Sequence, residues 1–366
     1  MLRITTPLIF MLMLSACGDG QPFFDEDTAT DADTAADVDT AAEASEDAEG
    51  GDAADDDGKV SDVLNTGTTS PTLGTDAVAR GDIIRLESTS DEGLGGYLSS
   101  VSYDSDSDTL IVDGLGFDGA NTYSRGSPID QLKSYQVYEA DITATDALTG
   151  DTISQITPYR AVYGVSANNL DTGEPRTSFV IVRTGGYTGY GFGGYIYARN
   201  GDTVIPTSGQ AQFTGDYAGI RTFSGAGGLE LTQGDVEIAI DLRDFNDNDA
   251  VRGYINNREA YTSDGVSISL GGTDELVLPT LHFVIEGTGT DLLESGEFSG
   301  TLNNSIIGDT GELEEYETGS YYAILSGDAT DVSDGGEIVG VFVVESEDPR
   351  YEGVTAQETG GFIVYR

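Results

Sequence analysis

The chain has 366 residues, of which 65 are acidic and 16 basic, giving a formal charge of -49. A field of that sign repels nucleic-acid backbones and favours solubility and cationic partners. With one cysteine and one histidine there is neither a disulfide framework nor a His/Cys cluster for a transition metal, so stability must come from a packed core.

The N-terminus reads as a lipoprotein signal peptide over residues 1–16. Arg3 supplies the basic region, Leu8 to Leu14 an apolar segment too short to span a bilayer, and Leu14-Ser-Ala-Cys17 the lipobox. Cleavage after Ala16 makes Cys17 the first residue, acylated on thiol and amine, so the membrane is a partner through the lipid anchor, at roughly 0.8 kcal/mol per buried methylene. Losing Arg3 and no acid leaves 15 basic against 65 acidic residues. Gly18 after the cysteine points to the outer membrane, although Asp19 blurs that rule.

Residues 17–78 are expected to be a disordered acidic tether. Gly18 to Gly58 contains 16 acidic residues and no basic one, with almost no large apolar side chain beyond Phe23-Phe24, so it cannot bury a core. Square-root scaling gives such a tether a reach of roughly 45 Å. The plainer reading of this segment is a solvated spacer with no binding role.

Residues 79–175 read as a small β-rich domain. Short strand-like runs, Ile83 to Leu86 and Leu110 to Val112, are bounded by Asp/Ser/Gly turns, and Tyr135 to Thr145 alternates in period two over part of its length. The turn-rich stretch Asn168 to Pro175 is the expected boundary.

Residues 176–366 read as a glycine-rich antiparallel β-barrel of about eight strands. Val236, Ile238, Ile240 and Leu242 share one face of their strand, with Glu237 and Asp241 on the other; Leu281, Phe283 and Ile285 repeat the pattern. Further strands are expected at Phe179 to Arg183, Gly191 to Arg199, Gln210 to Tyr217, Val251 to Asn256, Val266 to Leu270, Gly296 to Leu302, Ser320 to Leu325, Ile338 to Val344 and Phe362 to Tyr365. Glycines inside strands permit the bends a small barrel needs. The polar face carries acids, with no outward apolar band of the membrane-spanning kind.

Gly319-Ser-Tyr-Tyr-Ala323, an acidic loop, and Gly336-Glu-Ile-Val-Gly-Val-Phe342 resemble the closing strands of the transferrin-binding protein B family. Asp235 to Arg258 resembles an internal hairpin of the same barrels. The resemblance covers about the last 190 residues, and it implies an eight-stranded barrel carried by a surface lipoprotein of Gram-negative cells. The chain departs from the family in three ways: Ala323-Ile324 replaces the common Gly-Pro, Asp328 to Asp334 looks inserted, and one lobe is present rather than two. Transferrin binding does not carry over, because no ligand contact can be matched residue by residue.

Other motifs favour plain readings. Gly189 to Gly194 satisfies a G-x-G-x-x-G spacing, but a dinucleotide fingerprint needs a following helix, and none is expected. His282 lies opposite Leu281 and Phe283 and reads as a surface residue without a nucleophile partner. Two loops place oxygen ligands at alternate positions and are the candidate calcium sites: Asp104, Asp106 and Asp108, and Asp244, Asn246 and Asn248. Neither fits an EF-hand, since glycine and the final glutamate are missing at the required positions, and Asp-rich hairpin turns are the plainer reading. No other cofactor is expected. The nineteen tyrosines read mainly as barrel girders, with Tyr187 and Tyr190 the first choices for ligand contacts.

The sequence thus leads to an all-β, lipid-anchored outer-membrane protein that binds rather than catalyses. A protein or small-solute ligand is the expected partner, no nucleic acid is, and the cell surface is favoured over the periplasmic side. The alternative is a structural or adhesive envelope lipoprotein without a soluble ligand.

Overall fold

The computed structural model describes residues 81–366 apart from 90–94, 117, 119–120, 146–148, 155–156, 187–188, 207–208, 243–249, 272–274, 288–290, 309 and 331. Cys17 and the acidic segment lie outside the described residues. No helix among the described residues is long and apolar enough to cross a membrane.

The first half supplies β1 (Ile83–Leu86), β2 (Ser100–Asp104), β3 (Thr109–Asp113), β4 (Thr122–Arg125), β5 (Gln131–Leu132), β6 (Tyr135–Ala140), β7 (Thr143–Thr145), β8 (Thr152–Ser154), β9 (Arg160–Val165), β10 (Thr177–Arg183) and β11 (Gly193–Arg199). These form a curled antiparallel sheet in the order β1-β11-β10-β9-β6-β4-β3-β2, with β5 on β6 and β7-β8 as a separate hairpin. Every residue of β10 and β11 is buried, because the sheet is covered on both faces. Val180, Val182, Ile196 and Ala198 point into the curl with Leu110, Val112 and Tyr123. Phe179, Ile181, Tyr195 and Tyr197 point the other way, onto the outer wall of the barrel.

The boundary expected at residue 175 cuts this sheet. β10 and β11 pair with β9 and β1, although the sequence assigns both to the barrel half. Asn168 to Pro175 is the loop of the β9–β10 hairpin, closed by Leu170 N–H to Glu174 O at 2.8 Å and Gly173 N–H to Leu170 O at 2.9 Å. Turn chemistry there marks a reversal of the chain rather than a linker.

The barrel follows the short β12 (Thr203–Val204) and comprises β13 (Gly209–Ser224), β14 (Leu229–Leu242), β15 (Ala250–Thr262), β16 (Leu281–Gly287), β17 (Glu297–Ile307), β18 (Leu313–Asp328), β19 (Glu337–Glu347) and β20 (Thr355–Tyr365). Each strand pairs antiparallel with the next, and β20 returns to β13 to close the ring, so the expected eight-stranded barrel is the fold. The Val266 to Leu270 run, expected as a strand, lies instead in the β15–β16 connection, where it makes the isolated bridges Tyr261–Ser267 and Leu270–Leu276. At Gly265, whose φ is 79° and whose N–H donates to Thr262 O at 2.9 Å, the chain reverses in a tight turn and runs briefly back beside the end of β15, Ile268 N–H donating to Ala260 O at 2.8 Å.

Side chains fill the interior. Phe213, Ile238, Phe283, Tyr321, Phe342 and Phe362 are all buried there, and rings lie over glycines of the next strand, Phe362 on Gly340 and Phe342 on Gly360, where a Cβ would collide. The thinnest seam is β16–β17, joined by two residue pairs, His282–Asn303 and Phe283–Leu302. There the short helix α1 (Asp291–Ser295) sends Leu292 into the core.

The sheet packs on the barrel through an apolar layer that includes Phe179, Ile181, Ala218, Ile220, Val339 and Ile363. The Phe179 ring sits between Gly164 and Gly361, neither of which leaves room for a Cβ. Polar ties border this layer. Arg183 donates to both carboxylate oxygens of Glu87 at 2.8 Å, and the Tyr135 hydroxyl donates to Asp216 O at 2.7 Å. Glu337 of β19 accepts from Ser166, Thr177 and Asn168 at 2.7 Å each.

Candidate functional site

The interior of the barrel is divided along its axis. Towards the connections that follow β14, β16 and β18 it is apolar, lined by residues such as Phe213, Ile240, Val251, Leu292 and Val364. Towards the connections that follow β13, β15, β17 and β19 it is charged. Arg258, 4% exposed, is held at the centre of that end. Its Nη1 donates to Glu317 Oε2 at 2.5 Å and to Pro279 O at 2.9 Å. Nη2 donates to Glu317 Oε1 at 3.0 Å and Glu358 Oε2 at 2.8 Å, and Nε to the Tyr217 hydroxyl at 3.3 Å. All five N–H donors of the guanidinium therefore have partners. Burial alone would lower the pKa of Arg258, but Glu317 and Glu358 more than offset it and hold the group charged. Asn304 donates to Glu317 Oε2 at 2.5 Å, and the Thr232 hydroxyl to Glu358 Oε1 at 3.0 Å.

A second cluster lies beside it. Arg221 Nη1 donates to Glu230 and Asp348, both at 3.2 Å. Arg350 donates to Glu230 at 2.7 and 3.1 Å and to Asp348 at 2.6 and 2.8 Å. Burial raises the Asp348 carboxyl, but its bonds to Arg350 and the charge of Arg221 overcome this and hold it below the usual carboxylate range.

These clusters fix the surface above them. Pro279 ends the β15–β16 connection, so Arg258 ties that loop to the barrel interior. Arg350 stands in the β19–β20 turn and packs its guanidinium over Phe223 and Tyr351 at 5.9 and 5.6 Å. The β17–β18 hairpin is closed by Gly308 N–H to Glu312 O at 2.8 Å. At this end apolar side chains project into solvent: Ile307 is 74% exposed, Leu313 76%, Val266 63% and Tyr351 57%. Ile307 and Leu313 face each other across the hairpin. These four are spread over three of the four connections at this end of the barrel.

Tyr190 flanks this end. Its hydroxyl lies 2.9 Å from Thr355 Oγ1 and donates to Glu345 Oε2 at 3.2 Å, pinning the β10–β11 loop to the barrel wall. Beside it in the chain, Phe192 meets Tyr97 with ring centroids 5.9 Å apart. Tyr187 lies outside the described residues. The loop's glycine spacing serves a tight turn between two strands, since a Cβ at Gly191, with φ 75°, would overlap Thr184 O. Tyr195, Tyr197 and Tyr321 are buried girders.

Asp104, Asp106 and Asp108 do not converge. Asp108 accepts from Arg125 at 2.7 Å, Tyr138 at 2.7 Å and Tyr103 at 3.1 Å, while Asp104 Oδ1 accepts the Asp106 N–H at 2.9 Å. Among the described residues no three His, Cys, Asp or Glu side chains are grouped to hold a metal ion. Asp244, Asn246 and Asn248 lie outside the described residues. His282 is on the outer wall, edge-on to Tyr254 at 5.3 Å.

The interior charges and the exposed hairpin were not anticipated from the sequence. Strand parity carried a signal for the former, since Glu358 shares the inward parity of Phe362 and Val364 in β20.

No family model matches the sequence, and no curated protein does. Among solved structures, the chain is similar to a double mutant of the vaccine antigen transferrin-binding protein B from Haemophilus parasuis Hp5, with 13% identity and a TM-score of 0.33. The likeness covers 78% of this chain and 45% of that one, so the chain spans less than half of that protein's length.

Proposed function

We propose that this chain is a lipid-anchored envelope lipoprotein that binds a macromolecular partner at the charged end of its barrel. The observation that carries the reading is the contrast between a barrel filled with side chains and a set of hydrogen-bonded loops that hold apolar residues out in solvent. Packing of the described interior with side chains favours recognition at the surface over a solute held inside. Two of these connections are tied to the barrel by Arg258 and Arg350, and the β17–β18 hairpin is closed by its own backbone bond, which reduces the conformational entropy lost on binding. Acylation at Cys17 and outer-membrane placement, with the head at the cell surface, complete the proposal.

The test is protease shaving of intact cells followed by detection of residues 81–366 with an antibody. Loss of the head domain from intact cells is expected. Full protection until the outer membrane is permeabilised would overturn the surface placement.

A further inference from the structure

The distribution of positive charge and of exposed apolar surface identifies the class of partner. Six arginines, Arg85, Arg160, Arg183, Arg199, Arg221 and Arg258, are buried. Five of them pair with carboxylates, and Arg199 donates to the carbonyls of Ser295 and Leu325 at 2.8 and 2.9 Å. Six of the twelve basic residues among those described are thus withdrawn from the surface, and with 65 acidic residues in the chain the exterior is left anionic.

At the charged end this is extreme. The connections 225–228, 263–280, 308–312 and 348–354 contain Arg350 as their single basic residue against seven acids, and Arg350 is committed to Glu230 and Asp348. The opposite end is just as acidic, with Arg243 against seven acids in 243–249, 288–296 and 329–336. Acidity therefore sets the sign of the partner and not the place of contact. The place is set by apolar exposure: of the five most exposed large apolar side chains among the described residues, Val266, Ile307, Leu313 and Tyr351 lie at the charged end and only Val332 at the other.

We infer that this end docks a protein whose contact face is basic and carries an aliphatic anchor site, with the Ile307/Leu313 pair as the central contact and the surrounding carboxylates as its rim. A cationic face finds complementary charge there, which speeds encounter and suppresses acidic competitors. The aliphatic pair gives the contact its position, as a desolvated centre does in protein interfaces. This inference rests on the proposed binding role and adds the chemistry of the partner.

The probe is a fluorescein-labelled amphipathic helix of lysine and leucine, compared with an oligolysine of equal charge, titrated into the full-length chain by anisotropy. The lysine–leucine peptide is expected to bind at least 10-fold more tightly than oligolysine, and both to weaken as salt rises from 50 to 500 mM, because exposed charges are screened. Ile307→Asp with Leu313→Asp removes the apolar pair while adding two negative charges. If the site is as inferred, it brings the amphipathic peptide down to the oligolysine level, whereas Val332→Asp at the other end leaves it unchanged. Unchanged or tighter binding by the double variant would overturn the inference, as would equal loss from Val332→Asp. Circular dichroism confirms that the variants fold, both substituted side chains being solvent-exposed. Failure of the shaving test with success here would refute surface placement alone, and the reverse result would refute the partner chemistry alone.

Discussion

Replacing Arg258 by Met tests the charged interior directly. The substitution keeps much of the side-chain volume but removes the cation that joins Glu317 and Glu358, and with it five hydrogen bonds. Two carboxylates are then left inside the barrel with only Asn304 and Thr232 as remaining side-chain donors. Breaking a buried ion pair from one side costs about 3–5 kcal/mol. For a folded unit of this size each kcal/mol corresponds to about 2–4 °C, so the melting temperature should fall by roughly 6–20 °C. Protonation relieves the cost of a buried unpaired carboxylate, so the deficit should shrink as the pH is lowered. Thermal melts at pH 7 and pH 4.5, followed by circular dichroism, report both effects. Adding Glu317→Gln and Glu358→Gln to the variant should recover most of the loss, because apolar and neutral replacements of a whole buried cluster are tolerated far better than half of it. A variant within about 1 kcal/mol of the parent at pH 7 would refute the reasoning, since that is the scale of an exposed pair.

Four further outcomes are expected. Leu292→Ala removes the side chain that α1 places in the barrel core and should cost about 2–5 kcal/mol in urea unfolding, with faster amide exchange along β16 and β17. Phe179→Ala, between Gly164 and Gly361, should cost about 3–5 kcal/mol and loosen the sheet from the barrel, read as a new early protease cut between residues 199 and 209. Burial raises the Glu337 carboxyl above its ordinary value despite donors from Ser166, Thr177 and Asn168; a raised folded-state value means that its contribution is present in acid and lost as pH rises through that value. Glu337→Gln should therefore gain on the parent in stability as pH goes from 4 to 8, and a pH-independent difference would count against this. Cys17→Ser should move the protein from the membrane to the soluble fraction after cell breakage.

Much of the barrel was legible because its strands alternate. Val236, Ile238 and Ile240 point into the core with Glu237 and Ala239 outside, as their order in the chain implies. β10 was harder to place. Its run Phe179 to Val182 is apolar on both faces, a pattern that fits a covered sheet as well as a barrel wall, and the choice between them depends on pairing with β9, β11 and β1 rather than on local sequence. The charged interior was hidden for a related reason. Arg258, Glu317 and Glu358 are 100, 59 and 41 positions apart pairwise, so each reads alone as a solvated residue, and only closure of the ring brings them together. Tyr190 could be chosen as a candidate because glycines surround it, whereas Ile307 and Leu313 could not, since exposure of an aliphatic residue in a strand is invisible until the hairpin is seen to run past the barrel rim.

The closing strand has a consequence for how the molecule is made. Every one of the eleven residues of β20 is paired on both sides, with β13 and with β19. A chain emerging N-terminus first lays down β13 and must then wait for more than a hundred residues before its neighbour appears. Through that interval the barrel is an open sheet whose bare edges are β13 and the strand made last, β19 by its end, and the wall on which β10 rests is missing its central strand. Premature termination ahead of Thr355 would leave both edges in one molecule, each offering unpaired amides and carbonyls to the next copy, the starting geometry for edge-to-edge assembly.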